Sequence, residues 1–247
     1  MILQNKKYKH LFLLLSIYFL LRVITYYFQI YPVGNELSLK WQFLDAQLLK
    51  KDFFKSLYYL HYQPPIWNFI YGVMIKIFGT ENETLSLALH LFNIFLSFLM
   101  IYYFYLIADY FKLKKNEINI FFIFFFGFSL SFLFYETYMH YTHLTAFLFA
   151  QITYCFLRFD DNNSLKYEFF IYLTALILSL TWSAFSHPLF MFVIFLGICF
   201  IKFKKNILRS FLIFLLFSIL TLIPSIKNKI EFNIFANSTW IGMQIFT

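Results

Sequence analysis

Charged residues, cysteine, proline and glycine are all scarce in this chain. Only 13% of its residues are Asp, Glu, Lys or Arg, and it contains 2 Cys, 5 Pro and 6 Gly. So little charge excludes an ordinary soluble domain, in which about a quarter of the residues are charged. Cys155 and Cys199 each lie inside an apolar run without a neighbouring cysteine, so we expect packing roles rather than a disulfide framework or a zinc site.

The sequence also lacks the short motifs of several enzyme classes. It has no phosphate-binding glycine loop, no nucleophile elbow and no paired-cysteine motif. Lys and Arg total 20 against 12 Asp and Glu, an excess that can indicate nucleic-acid binding. These basic residues lie mostly in short clusters between apolar runs, which is typical of membrane topology signals. We therefore expect no nucleic-acid partner, and contacts with membrane lipids instead.

Apolar residues dominate what remains, since 61% of the chain is hydrophobic and 25% is aromatic. A helix that crosses a membrane needs about 17–25 mostly apolar residues. The sequence therefore predicts an all-α fold, a polytopic transmembrane helical bundle that forms one membrane domain over residues 1–247. The apolar runs lie at about 11–31, 66–78, 85–111, 118–134, 144–157, 169–185, 188–201 and 207–223.

The run at 66–78 is the exception, because it has too few residues to cross and contains Lys76. If it does not cross, the four basic clusters that border the spans all fall on the cytoplasmic side, as the positive-inside rule requires. We therefore predict about seven spans with a cytoplasmic N-terminus. A long loop, residues 32–84, then lies on the outer face and holds interfacial helices.

The 32–84 loop contains the first candidate catalytic residue. Apolar residues recur at helical spacing from Leu37 to Leu48, which predicts an amphipathic helix over about 37–58 with its apolar face on the membrane. Asp45 then lies on the wetter face, where a carboxylate can act as general base on an acceptor hydroxyl. A solvated charge on an interfacial helix is the alternative interpretation.

A rigid polar corner follows in the same loop at His61-Tyr62-Gln63-Pro64-Pro65. Two consecutive prolines fix the backbone and set the start of a short helix over 66–78. His61 and Gln63 offer a ring nitrogen and an amide to an anionic head group. A plain loop-to-helix transition, with His61 as an interfacial polar group, is the alternative.

The order of these features resembles the GT-C membrane glycosyltransferases. A first span and an outward acidic residue are followed by His61, by Pro64-Pro65 and by an apolar helix that ends at Phe78-Gly79. Protein O-mannosyltransferases, aminoarabinose transferases and the Rgt-type lipopolysaccharide glycosyltransferases of bacteria share that arrangement. The segments Pro224 to Asn228 and Asn237 to Gly242 are also similar to the part that the bacterial members carry after their seventh span.

The resemblance implies transfer of a sugar, with inversion, from a polyprenyl-phosphate donor to a lipid, glycan or protein acceptor. The implied location is the outer face of a bacterial inner membrane. By position Asp45 is the implied base, and Asp52 and Glu36 stay open because the Asp-Glu pair of many relatives is absent here. Such enzymes are considerably longer, so we expect this chain to be the N-terminal part of one, truncated at its C-terminus.

A donor phosphate is expected to have cationic partners, because charge-assisted hydrogen bonds are the stronger kind. Lys227 and His61 are candidates, and Arg22 in the outer half of the first span is another, since an Arg within a span generally faces the bundle interior or a polar cavity. Lys229 is a further candidate. A solvated juxtamembrane loop is the alternative for both Lys227 and Lys229, and it explains Lys229 at least as well. We expect Gln63 to contribute to the same donor or substrate site.

The predicted outer turn at 136–143 adds Glu136 and His140 as candidates for hydrogen bonding to substrate. Glu136 with His140 and His143 has the residue types of a divalent metal site. Ordinary anchoring of His and Tyr at the membrane interface is an alternative. We expect neither a cofactor nor a metal.

A non-catalytic membrane protein is the competing class, either a transporter of lipid-linked substrates or an assembly scaffold, and an inactive fragment of a transferase is a further alternative. A transporter is expected to have paired broken helices and polar groups near the bilayer midplane. The sequence instead places its polar groups at the outer ends of the spans. His90 lies inside a span, where we expect it to satisfy a neighbouring backbone group.

Overall fold

A computed structural model describes residues 2–30, 43–162, 164–186, 188–202 and 207–238, and all regular structure in these ranges is helical. The helices are α1 (Ile2–Tyr27), α2 (Ala46–Lys51), α3 (Phe53–Tyr58), α4 (Pro65–Phe78), α5 (Asn82–Tyr110), α6 (Lys115–Phe122), α7 (Leu130–Thr137), α8 (Thr142–Asn162), α9 (Leu165–Ser179), α10 (Pro188–Lys202) and α11 (Ile207–Phe232). A π-helical segment (Ile123–Phe128) joins α6 to α7, and a 3₁₀ turn (Ser183–Phe185) follows α9. The predicted all-α class is confirmed for the described residues.

Three of these helices are long and apolar enough to cross a membrane, namely α1 from Lys9 to Tyr27, α5 and α11. A fourth crossing results if Lys115–Phe128 and Leu130–Thr137, which meet at an angle of 50°, are one bent span. The described helices therefore do not support the predicted seven spans. Length explains two of the three missing spans, because α9 and α10 have 15 residues each and a crossing helix needs about 17–25. The third, α8, has 21 residues but is not apolar enough.

The outward surface of the bundle is apolar along several helices. Phe12 of α1, Phe124 of the π-helical segment, Phe200 of α10 and Leu212 of α11 are all more than half exposed. Soluble proteins rarely expose apolar patches of this extent. The surface and the apolar helices together are those of a membrane protein.

Buried apolar side chains form three clusters. One joins α1, α5 and α6 and includes Leu14 and Met100. A second joins α8, α9, α10 and α11. The third lies under the 32–84 loop, where Leu49 of α2 and Trp67 of α4 pack with residues of α5. This third cluster fixes the loop helices to the bundle.

The described part of the 32–84 loop does not form the continuous helix predicted over about 37–58. Residues 31–42 lie outside the described residues, and two six-residue helices, α2 and α3, lie on either side of Asp52. The Asp45 side chain caps the first of them, so that helix begins at Ala46. Aspartate is one of the preferred N-cap residues. Its side chain accepts hydrogen bonds from the backbone N–H groups of the first turn, which would otherwise bond to carbonyls of a preceding helical turn.

The face of this region that packs on the bundle is distinct from the predicted membrane face. Leu49 is fully buried against the bundle, whereas Leu48, which helical spacing assigned to the membrane face, is 57% exposed. An exposed Leu48 is available to contact lipid, so the membrane face of this segment stays a prediction.

The helix after the proline pair begins where those residues predict. Pro64 is extended, and Pro65 is the first residue of α4, a position at which a missing N–H costs nothing. The Ile66 N–H donates to the Leu180 carbonyl oxygen at 2.9 Å. This bond ties the start of α4 to the turn after α9 and leaves the residues before Pro64 beside the end of α11.

Candidate functional site

A groove of about 380 Å³ lies between the residues that precede α4 and the C-terminal part of α11. We call it the first groove. Its walls are mostly apolar, with Leu57, Leu60, Ile223, Ile226 and Ile230 among them. Its polar lining consists of Tyr58, Gln63, Lys227 and Asn237. An apolar channel with a few polar groups at one place suits an amphiphilic ligand.

Lys227 is the cation of the first groove. Its Nζ donates to the carbonyl oxygens of Tyr58 at 2.8 Å and Leu60 at 2.5 Å. An ammonium group has three donors, and the described residues accept from two of them, so the third can serve a ligand. These bonds also fasten α11 to the segment before His61.

Tyr58 forms the rim of the first groove. Its hydroxyl donates to Glu231 Oε1 at 2.6 Å, and that hydrogen bond raises the pKa of Tyr58 above its ordinary value. The phenol therefore stays protonated at neutral pH and holds the Glu231 carboxylate. The Glu231 carboxylate is therefore hydrogen-bonded to Tyr58 at the rim of the first groove.

Gln63 and the proline pair shape the mouth of the first groove. Gln63 is buried and lines the groove together with Pro65. The extended Pro64 fixes the direction in which the chain passes from Gln63 into α4. The corner predicted at His61 to Pro65 is therefore adjacent to a groove, and only part of it faces that groove.

The chain after α11 closes one side of the first groove. Asn228 Nδ2 donates to the Ala236 carbonyl oxygen at 2.8 Å, and Ser238 Oγ donates to the Tyr62 carbonyl oxygen. Asn237 lies between these two anchors. Sequence reasoning noted this segment for its similarity to a family motif but assigned no role to Asn237.

A second groove of about 400 Å³ shares Leu60 with the first. Asp52 and His61 line it, together with Lys51 and Lys55. The His61 ring stands 4.5 Å from the Phe232 ring, and its Nδ1 donates to the Tyr59 carbonyl oxygen at 3.2 Å. His61 therefore faces a different groove from Lys227, and the segment at 58–62 separates the two.

Asp45, the predicted base, lines neither groove. Its Oδ1 accepts hydrogen bonds from the backbone N–H of Gln47 at 2.8 Å and Leu48 at 2.9 Å. Burial and the nearby Asp45 charge raise the pKa of Tyr71 to about 12, which places Asp45 close to α4. Glu36, another alternative base, lies outside the described residues.

Arg22 and Glu136, both predicted to bind the donor, form an ion pair inside the bundle instead. Arg22 Nε lies 2.5 Å from Glu136 Oε1, and the two side chains are 4% and 0% exposed. Arg22 Nη2 also donates to the Phe126 carbonyl oxygen at 2.7 Å, at the break between the π-helical segment and α7. The pair joins α1 to the bent span and does not reach either groove.

A polar network surrounds this ion pair. Tyr18 donates to Glu136 Oε2, and Ser97 Oγ lies 2.8 Å from both that oxygen and His143 Nε2. As expected for an intraspan histidine, His90 Nδ1 donates to a backbone group, the Glu136 carbonyl oxygen, at 3.3 Å. Tyr18 lies halfway along the crossing part of α1 and Ser97 lies near the middle of α5. This network therefore departs from the predicted gathering of polar groups at the outer ends of the spans.

His140 also lies away from both grooves. Its Nδ1 contacts the Thr142 hydroxyl and accepts a hydrogen bond from the Thr142 N–H at 3.1 Å, so it contacts the first residue of α8. Within the part of the chain that the structure describes, no group of three or more His, Cys, Asp or Glu side chains is placed to hold a metal ion. The Glu136 carboxylate, which the sequence offers as an alternative metal ligand, forms an ion pair with Arg22.

Comparison of the chain with protein-family models, with curated proteins and with solved structures gives no match.

Proposed function

We propose that this protein transfers a sugar from a polyprenyl-phosphate donor to an acceptor hydroxyl at the outer face of the membrane. The observation that carries the proposal is Lys227, whose Nζ donates two hydrogen bonds to the described residues, set in a mostly apolar groove at the end of a helix that is long and apolar enough to cross a membrane. A prenyl chain would lie along the isoleucines of α11, and its phosphate would accept a hydrogen bond from Lys227. The resemblance to GT-C transferases supports the same chemistry.

The proposed reaction needs a base on the other side of the anomeric carbon. The acceptor oxygen attacks that carbon, its proton passes to a carboxylate, the bond from the carbon to the phosphate oxygen breaks, and lipid phosphate leaves, with inversion. Asp52 lines the groove that adjoins the first one at Leu60, together with His61. Its position favours Asp52 as the base over Asp45, an alternative that the sequence left open.

Replacing Lys227 with Met is the experiment that tests the donor site. Methionine keeps a long apolar side chain but removes the charge, and a hydrogen bond to a charged group contributes about 1.5–3 kcal/mol. We expect binding of farnesyl phosphate to weaken about 10–100-fold, measured by titration of the purified full chain in detergent.

Lys229→Met is the matched control. Lys229 lies in the same turn of α11, and its Nζ donates to Asn233 Oδ1 at 2.6 Å on the exposed surface. We expect this variant to bind like the wild type. Equal binding by wild type and Lys227→Met would reject the first groove as a lipid-phosphate site.

The finer topology is part of the same proposal. About seven crossings with a cytoplasmic N-terminus, in a bacterial inner membrane, require α8, α9 and α10 to cross in addition to the three long helices and the bent span. Local thinning of the bilayer can accommodate α9 and α10, which are short. In support, Lys227 bonds directly to Tyr58 and Leu60 of the 32–84 loop, as the proposed topology requires of segments on the same side of the membrane.

Cysteine labelling tests this arrangement. Glu83 and Leu113 are both exposed and lie near opposite ends of α5. A membrane-impermeant maleimide added outside intact cells is expected to label Glu83→Cys and to leave Leu113→Cys at the wild-type background. Labelling of Leu113→Cys alone would invert the topology and place both grooves in the cytoplasm.

A lipid-linked substrate transporter is the second candidate function. The mid-span network around Arg22 and Glu136, beside a span bent by 50°, is an observation in its favour. Against it, these polar groups bond to one another, and the cavity beside Tyr18 holds only about 10 Å³, no more than a single water. Movement of labelled farnesyl-phosphate sugar across vesicles without any sugar transfer would favour the transporter.

A further inference from the structure

The Asn237 side chain is a buried amide without a hydrogen-bond partner among the described residues. It is 94% buried, since 6% of its surface is exposed, and among the described residues neither Nδ2 nor Oδ1 has a hydrogen-bond partner. An unpaired buried amide costs free energy, and native proteins rarely leave both of its atoms unsatisfied. Asn237 lines the first groove beside Lys227 and Gln63, so a ligand in that groove is positioned to satisfy it.

The backbone around Asn237 is held from both sides. Asn228 Nδ2 binds the carbonyl of the preceding residue, and the following residue, Ser238, binds the Tyr62 carbonyl. These bonds tie the segment to α11 and to the loop before α4. The amide is therefore held in place at the groove before any ligand arrives, which lowers the entropic cost of binding.

The two atoms of the amide need different partners. Nδ2 donates, and a phosphate oxygen can accept from it as well as from the third N–H of Lys227. Oδ1 only accepts, and a lipid phosphate above its second pKa of about 6 carries no proton to donate. A sugar attached to that phosphate brings hydroxyl groups, which do donate. Both atoms are satisfied only when a sugar is present.

We propose that Asn237 is the residue that distinguishes the sugar-loaded lipid carrier from the spent lipid phosphate, an inference that rests on the proposed function. The loaded carrier satisfies Lys227, Asn237 Nδ2 and Asn237 Oδ1 together. After transfer the sugar has left, and Oδ1 is buried without a partner again. The groove then binds its product more weakly than its substrate, which favours release of the spent lipid.

The test compares two ligands on the same protein. The purified full chain in detergent is titrated with farnesyl phosphate and with its glucosyl, galactosyl and arabinosyl phosphodiesters. We expect the wild type to bind at least one phosphodiester about tenfold more tightly than farnesyl phosphate, since one unsatisfied buried group has about that effect. Equal affinity for all four ligands would overturn the inference.

Two substitutions at Asn237 sharpen the result. Leucine has a shape similar to that of asparagine but no polar atom. In Asn237→Leu, the ratio of the affinity for the phosphodiester to that for farnesyl phosphate should therefore fall to near one. Asn237→Asp keeps an acceptor for the sugar but repels phosphate, so both ligands should weaken while the preference remains. If Asn237→Leu still prefers the phosphodiester, a residue other than Asn237 distinguishes the two ligands.

The controls separate this inference from the proposed function. Asn116→Leu, an exposed residue in the first turn of α6, should keep the wild-type ratio. The ratio is measured within each variant, so a smaller folded fraction does not change it. If Lys227→Met weakens neither ligand, the proposed function fails. If it weakens both while the wild type shows no preference, the Asn237 inference alone fails.

Discussion

Arg22→Met is expected to destabilise the folded protein by about 3–5 kcal/mol, because it leaves the fully buried Glu136 without its cation. The loss exceeds that of an ordinary core substitution, since a buried carboxylate retains its desolvation cost when its partner is removed. Arg22 also donates to the Phe126 carbonyl oxygen at the break in the bent span. Helix ends leave such carbonyls unsatisfied, so the substitution removes two kinds of bond at once.

Unfolding by sodium dodecyl sulfate, followed by circular dichroism in mixed micelles, measures this effect. Removing both charges in Arg22→Met with Glu136→Leu should cost less than the sum of the two single variants, because no unpaired charge remains. Arg209→Met is the comparison. Arg209 lies 3.0 Å from Glu168, but its side chain is 37% exposed, so a smaller loss is expected. If Arg22→Met and Arg209→Met lower the free energy of unfolding equally, the buried Arg22–Glu136 pair stabilises the protein no more than the partly exposed Arg209–Glu168 pair does.

The helices of this chain could be predicted because their signals are local. Apolar runs predict the crossing helices, and the pair Pro64-Pro65 predicts the start of α4. The break at Asp52 could not be predicted from the same spacing. Periodicity of apolar residues runs across it, and the competing signal, an aspartate at Asp45 suited to an N-cap, also fits the exposed face of a longer helix.

The internal ion pair shows why the candidate site could be predicted only in part. Arg22 and Glu136 are far apart in the sequence, and each alone looks like a polar group available to a ligand. Only the bend between the π-helical segment and α7 brings Glu136 to α1. Lys227 and Gln63, in contrast, were predicted as donor contacts, and the structure places both on the first groove.

The described helices support only three or four of the predicted spans, for a related reason. Length and hydropathy identify helices that are apolar, but several short helices in this bundle are apolar because they pack against other helices. Ile171 and Ala175 of α9, for example, are completely buried within the cluster that joins α8 to α11. Burial in protein and burial in lipid select the same residue types, so composition alone cannot separate them.

Asp52→Asn is expected to lower sugar transfer about 10²–10⁴-fold, the usual contribution of a positioned general base. Asp45→Asn is expected to change transfer little, because asparagine caps a helix about as well as aspartate and the bonds to Gln47 and Leu48 can persist. Asp45→Ala removes the cap as well, at a cost of about 1 kcal/mol in stability. Any activity lost in Asp45→Ala but kept in Asp45→Asn is therefore structural.

The measurement is release of labelled sugar from farnesyl phosphate to membrane acceptors, with binding of farnesyl phosphate assayed in parallel. A base acts on the acceptor proton, so Asp52→Asn should lower the transfer rate while donor binding stays near the wild-type value. Lys227→Met should show the opposite pattern, with donor binding weakened directly and transfer lowered as a consequence. If Asp45→Asn abolishes transfer and Asp52→Asn does not, the base is the capping residue, and the acceptor then approaches from the α4 side near Tyr71 rather than through the second groove.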